Sequence, residues 1–119
     1  MFNFNEEAKI KYNNTKEYKE YESKQKTKEE IDESGKKLME IFSLFGSAMK
    51  ENDEKRGISL VKVLQDFISS NYYTCSNEIL KSLGTMYITD ERFKNNIDNA
   101  GGEGTAYFVN QMINKYLNN

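Results

Sequence analysis

From Ile31 to Leu117, apolar residues return every third or fourth position, and the whole chain contains no proline. That spacing places them along one face of successive helices. Proline is the residue that most often ends a helix, so its absence leaves the pattern uninterrupted. No segment alternates apolar and polar residues over a strand's length. The periodicity therefore predicts an all-α, compact single-domain helical bundle. At 119 residues the chain has enough surface to bury one core, about two-thirds of what the unfolded chain exposes.

The segments follow from the spacing. Thr27-Lys28-Glu29-Glu30 is a capping box. Ile31, Leu38, Ile41, Phe42, Phe45 and Met49 then predict a long helix over 28–49, in which Gly35 costs about 1 kcal/mol. Residues 50–57 read as a polar connection. Leu60, Val61, Leu64, Phe67 and Ile68 predict a helix over 59–71, and Tyr72-Tyr73-Thr74-Cys75 a break. Ile79, Leu80, Leu83, Met86 and Tyr87 predict a helix over 76–88, started by Thr74 or Ser76. Thr89 is placed to cap a short helix over 90–98 with Phe93 and Ile97 inward. Ala100-Gly101-Gly102 reads as a turn, and Ala106, Val109, Met112, Ile113, Tyr116 and Leu117 mark a last helix over 103–117. Residues 1–26 are different. They belong to a stretch, 5–37, that holds nine lysines and nine acidic residues among few apolar ones. A short helix with so little apolar face is marginal in water. Residues 1–26 are therefore expected to form one or two weak helices that depend on docking.

Composition narrows the function. The net charge is -2, with lysines interleaved among acids, so no basic stripe forms and direct DNA binding is not expected. No apolar run reaches the ~18 residues of a membrane span, and the first residues lack the basic and apolar regions of a secretory signal. With no histidine, imidazole catalysis is excluded and most zinc sites with it. Cys75 is the single cysteine, which fits a reducing, cytoplasmic setting without disulfides. No cofactor, no metal and no enzymatic activity are expected, and the chain is expected to be a monomer. The acidic groups Glu29, Glu30, Asp32, Glu33 and Asp53, Glu54 read as solvated helix faces. Gly101-Gly102-Glu103-Gly104-Thr105 reads as a helix-start turn, since it lacks the lysine and strand of a phosphate loop.

Two features remain as candidates for chemistry. Cys75 stands just before a helix, where backbone N–H groups can stabilise a thiolate; the alternative is a buried thiol acting as a small hydrophobe. Aromatic residues are 13% of the chain, and Tyr72, Tyr73, Tyr87, Phe93, Tyr107 and Phe108 gather in its second half. Such side chains line sites for flat or amphiphilic ligands, or simply fill a core.

The order of residues in the second half resembles a known family. Tyr72-Tyr73-Thr74-Cys75-Ser76-Asn77-Glu78 is followed by Leu83-Gly84-Thr85-Met86-Tyr87-Ile88-Thr89-Asp90-Glu91-Arg92-Phe93. Asn96-Ile97-Asp98, Gly104-Thr105-Ala106-Tyr107-Phe108 and Ile113-Asn114-Lys115-Tyr116 continue the pattern. Together these blocks are similar to the TipAS antibiotic-recognition domain, over roughly residues 10–117. The resemblance implies a globin-like fold that binds bulky, largely apolar drugs. In that family the domain is the effector-sensing part of MerR-type activators, or acts alone by sequestration. Its amino-terminal helices there are mobile and close over the ligand, which implies a mobile amino-terminal helical lid over residues 1–26 and a helical ligand-binding core over 27–119. In thiopeptide-binding members the cysteine matching Cys75 adds to a dehydroamino acid of the antibiotic. The ligand-binding residues expected here are Cys75, Tyr72, Tyr73, Phe67, Met86, Tyr87, Phe93, Tyr107 and Phe108, and the implied partner is a hydrophobic, antibiotic-like small molecule. A stretch of about ten residues before the resemblance leaves no room for a helix-turn-helix, so a stand-alone domain is expected, or else a regulatory effector domain or fragment acting through a partner.

Overall fold

The computed structural model describes residues 27–118. The expected lid, residues 1–26, lies outside the described residues. Among the described residues there are five helices and no strand: α1 (Lys28–Lys50), α2 (Glu54–Asn71), α3 (Asn77–Thr89), α4 (Glu91–Gly101) and α5 (Thr105–Leu117). None of them is long and apolar enough to cross a membrane.

The capping box at Thr27 forms as its sequence predicts. The Glu30 N–H donates to the Thr27 hydroxyl at 3.2 Å, and the Thr27 N–H donates back to the Glu30 carboxylate at 3.1 Å. Helix α2 starts earlier than the apolar spacing suggests, at Glu54 rather than 59. Its first turn is charged and faces solvent, so it carries no periodic signal, but Asp53 caps it by accepting from the Arg56 N–H at 3.0 Å. The connection to α1 shrinks accordingly, with Asn52 in the left-handed region at φ 54°. Ser76, not Thr74, caps α3, accepting from the Ile79 N–H at 3.2 Å. Thr89 stays in α3, its hydroxyl donating to the Thr85 carbonyl, and Asp90 takes the capping role expected of Thr89.

The largest departure is at the end of α4. The expected turn at 100–102 is helical through Gly101. Gly101 lies backbone to backbone against Gly46 of α1, and the helix continues because the two glycines let α1 and α4 cross in contact. The reversal follows at Gly102 and Gly104, both at positive φ (106° and 94°), where a side chain would be strained. Gly104 has no side chain to cap α5. Asp98 supplies the cap from the preceding helix, accepting from the Ala106 N–H at 2.9 Å and from the Lys94 ammonium at 3.1 Å. That hydrogen bond and its charge hold the Lys94 ammonium above its ordinary pKa.

The core is built from the faces that the spacing predicts. Leu38, Phe42 and Phe45 of α1, Val61, Leu64 and Ile68 of α2, Leu80, Leu83 and Tyr87 of α3 and Val109, Met112 and Ile113 of α5 belong to one buried cluster. Phe42 sits at the centre, edge-on to Tyr87 at 5.4 Å and tilted against Phe45 at 6.5 Å. Tyr87 in turn contacts Phe93 of α4 at 6.0 Å.

Candidate functional site

Helix α2 ends where its last carbonyls run out of helical partners. The N–H groups of Tyr72 and Tyr73 both donate to the Ile68 carbonyl, at 2.9 and 3.2 Å, which turns the chain sharply. Tyr73 drops into the core and Tyr72 packs edge-on against Phe67 at 6.2 Å. The chain then passes Cys75 and enters α3. The Cys75 N–H donates to the Ser69 hydroxyl at 3.0 Å, and the Cys75 carbonyl accepts from the Gln65 side-chain amide at 2.8 Å. Both partners stand on α2, so the turn is tied to the helix it has just left.

Cys75 is 4% exposed. Of the two readings of Cys75, the buried one describes this conformation. Burial pushes the thiol up from 9.0 to about 12, because a thiolate would lose its water among apolar neighbours. The unfolded chain therefore ionises this thiol first, and stability is lost as pH rises from the ordinary thiol range toward 12. Between pH 8 and 10 the wild-type protein should lose about 1–2 kcal/mol more unfolding free energy than Cys75→Ala. Urea titrations of both proteins at the two pH values check this, and the difference between them removes the lysine and tyrosine contributions.

The other expected site residues separate into groups. Met86, Tyr87 and Phe93 are buried, the last two in the ring contacts around Phe42. Phe67 and Phe108 are partly buried against the core. Tyr107 is different: it is 55% exposed, with the Lys94 ammonium over its ring at 5.6 Å. The turn thus carries Tyr72, Tyr73 and Cys75, with Phe67 of α2 against Tyr72.

A feature that the apolar spacing does not reveal is an open groove of about 810 Å³ along the amino-terminal half of α1. Gly35, Met39 and Ser43 line it at four-residue steps, together with Asp32 and Lys36 of the same helix and Ala100 of α4. A side chain built on Gly35 would meet nothing within 4 Å. The signal in the sequence is Gly35 itself, a helix-interior glycine with no turn to explain it. None of the nine expected site residues lines this groove; Met86 lines a smaller concavity of about 330 Å³ on α3. No cluster of acidic or cysteine ligands that could hold a metal occurs among the described residues.

The five helices among the described residues, packed about an aromatic centre, form an all-α, globin-like domain. The chain belongs to the TipAS antibiotic-recognition domain family, whose sequence model matches residues 4–116. It is similar to the TipAS domain of Streptomyces lividans solved in complex with the thiopeptide nosiheptide, with a TM-score of 0.77 and 26% identity over 97% of this chain and 84% of that one. Among curated proteins it is 31% identical over 92% of its length to the HTH-type transcriptional activator TipA of Streptomyces coelicolor. It is 36% identical over 61% of its length to the HTH-type transcriptional activator mta of Bacillus subtilis. The chain spans 45% of the first of these regulators and 28% of the second.

Proposed function

We propose that this domain binds and sequesters a bulky, largely apolar antibiotic of the thiopeptide kind, and that Cys75 bonds to it covalently. The observation that carries the reading is the likeness, over nearly the whole chain, to a domain solved with nosiheptide. In this reading Tyr72, Tyr73 and Phe67 position the ligand beside Cys75, and Met86, Tyr87, Phe93, Tyr107 and Phe108 contribute apolar contact. Residues 27–119 form the binding core and residues 1–26 its cover. The bond-forming step is a conjugate addition. The Cys75 sulfur attacks the β-carbon of a dehydroamino acid, the π electrons move to the α-carbon, and that carbon takes a proton from water while the thiol proton leaves to solvent. Nothing is expelled, so capture is stoichiometric and the protein is not a catalyst. Capture takes place in the cytoplasm, by a monomer, without contact to DNA.

Intact-mass spectrometry after incubation with nosiheptide and other thiopeptides tests this. The expected result is one adduct equal to the full mass of the antibiotic, absent in Cys75→Ser, with the variant still binding reversibly by calorimetry. No binding to any thiopeptide by calorimetry would overturn the reading, and binding without an adduct would remove its covalent part.

A second reading makes the domain the effector module of a MerR-type activator acting through a partner. The similarity to part of two transcriptional activators favours it. Co-purification of a ligand-dependent complex with a DNA-binding regulator would support it.

A further inference from the structure

The turn that holds Cys75 is tied by more than the two bonds to its own backbone. The side-chain amide nitrogen of Gln65 donates both to the Cys75 carbonyl at 2.8 Å and to the Asn77 side-chain oxygen at 3.0 Å. The amide oxygen of Gln65 accepts from the Tyr116 hydroxyl at 3.3 Å. One side chain therefore joins α2, the 72–76 turn, the first turn of α3 and the last turn of α5. The Ser69 hydroxyl, one helical turn further along α2, accepts from the Cys75 N–H at 3.0 Å. Both donors of the Gln65 amide nitrogen and one lone pair of its oxygen are used, each on a different part of the chain.

We infer that Gln65, with Ser69 and Tyr116, forms a latch that sets how often residues 74–76 swing away from α2, with Tyr72 and Tyr73 left in the core, and let the Cys75 side chain reach solvent. The alternative route to exposure is unfolding of the whole domain. Opening the turn alone is the cheaper route, because it breaks the two bonds to the Cys75 backbone and the one to Asn77 and leaves the helices packed, while the Tyr116 bond that steadies Gln65 stays in place. An opening confined to residues 74–76 exposes little surface and so responds weakly to denaturant, unlike global unfolding. Gln65 is half-buried, and its bonds lie at the edge of the core rather than in it, so it is a positioning residue that acts through the turn. The latch bears on the capture reaction proposed above only through access to the thiol. It is tested with a small electrophile that needs no antibiotic, so the two readings stand or fall separately.

The experiment follows the rate at which N-ethylmaleimide labels Cys75 in the full chain, by intact mass, in rising sub-denaturing urea. Global stability is measured in parallel by circular dichroism. Wild-type labelling is expected to be slow and nearly independent of urea. Gln65→Ala and Gln65→Met should each speed labelling about tenfold, the loss of one or two net hydrogen bonds, and by more than the change in global stability accounts for. Methionine keeps the length and packing of glutamine without its amide, so the two variants should agree. Tyr116→Phe, which removes one arm, should give a smaller acceleration. Labelling that rises with urea as steeply as global unfolding would overturn the latch. So would a Gln65→Met protein that labels like the wild type, since packing rather than hydrogen bonding would then hold the turn.

Discussion

Gly46→Ala is expected to destabilise the domain by about 3 kcal/mol or more, enough to leave much of it unfolded at 37 °C. A methyl group at Gly46 would overlap the carbonyl, Cα and C atoms of Gly101, and all of these are backbone. No rotamer change relieves such an overlap, so α1 and α4 would have to separate, loosening the packing of Phe42 and Phe93 on either side. Gly57→Ala provides the contrast. Its methyl would meet the Met112 sulfur at 2.8 Å and the tip of the Phe108 ring at 2.9 Å, both ends of side chains that can shift. It should cost roughly 1–2 kcal/mol. Gly35→Ala should have the opposite sign and stabilise by up to about 1 kcal/mol, since the added methyl enters open space and alanine favours helix. Urea denaturation of the three variants, followed by helical circular dichroism, orders them. Equal losses for Gly46 and Gly57 would refute the backbone contact as the cause.

Phe42→Ala should cost about 3–5 kcal/mol and lower Tm by about 15 °C or more. The ring is fully buried at the meeting point of the helices, and its removal leaves a void facing Tyr87 and Phe45. The edge-on contact with Tyr87 is lost as well, which area alone does not count. Leu44→Ala, at the neighbouring but exposed position of the same helix, should change stability by less than about 1 kcal/mol. Calorimetry on both variants separates the two positions. Similar melting temperatures would mean that the aromatic centre does not carry the core.

The helices were legible because their buried faces repeat at 3.6 residues, and the Thr27 box announces α1 in four letters. Helix ends were legible only where a cap coincides with the apolar pattern. At α2 the cap, Asp53, precedes four residues of polar or small character, Glu54 to Gly57, and the apolar spacing begins only after them. At α4 the misread turn has a tertiary cause: Gly101 is helical because Gly46, far away in sequence, receives it. The order Tyr72-Tyr73-Thr74-Cys75 pointed to the turn and its thiol, but local sequence cannot say that Gln65 and Ser69 hold that turn down. Those two residues look like ordinary polar positions on a helix. The groove on α1 was invisible for a similar reason. Its described lining joins Gly35, Met39 and Ser43 of α1 to Ala100 of α4, positions that the apolar spacing does not link.

The depth of Cys75 also bears on how the protein behaves in an oxidising flask or a stressed cell. Peroxide, glutathione disulfide and a second copy of the chain all need a thiolate within reach, and at neutral pH this sulfur offers neither charge nor contact. The folded domain should therefore keep its one thiol reduced without added reductant. It holds that sulfur in reserve for whatever first draws the turn aside.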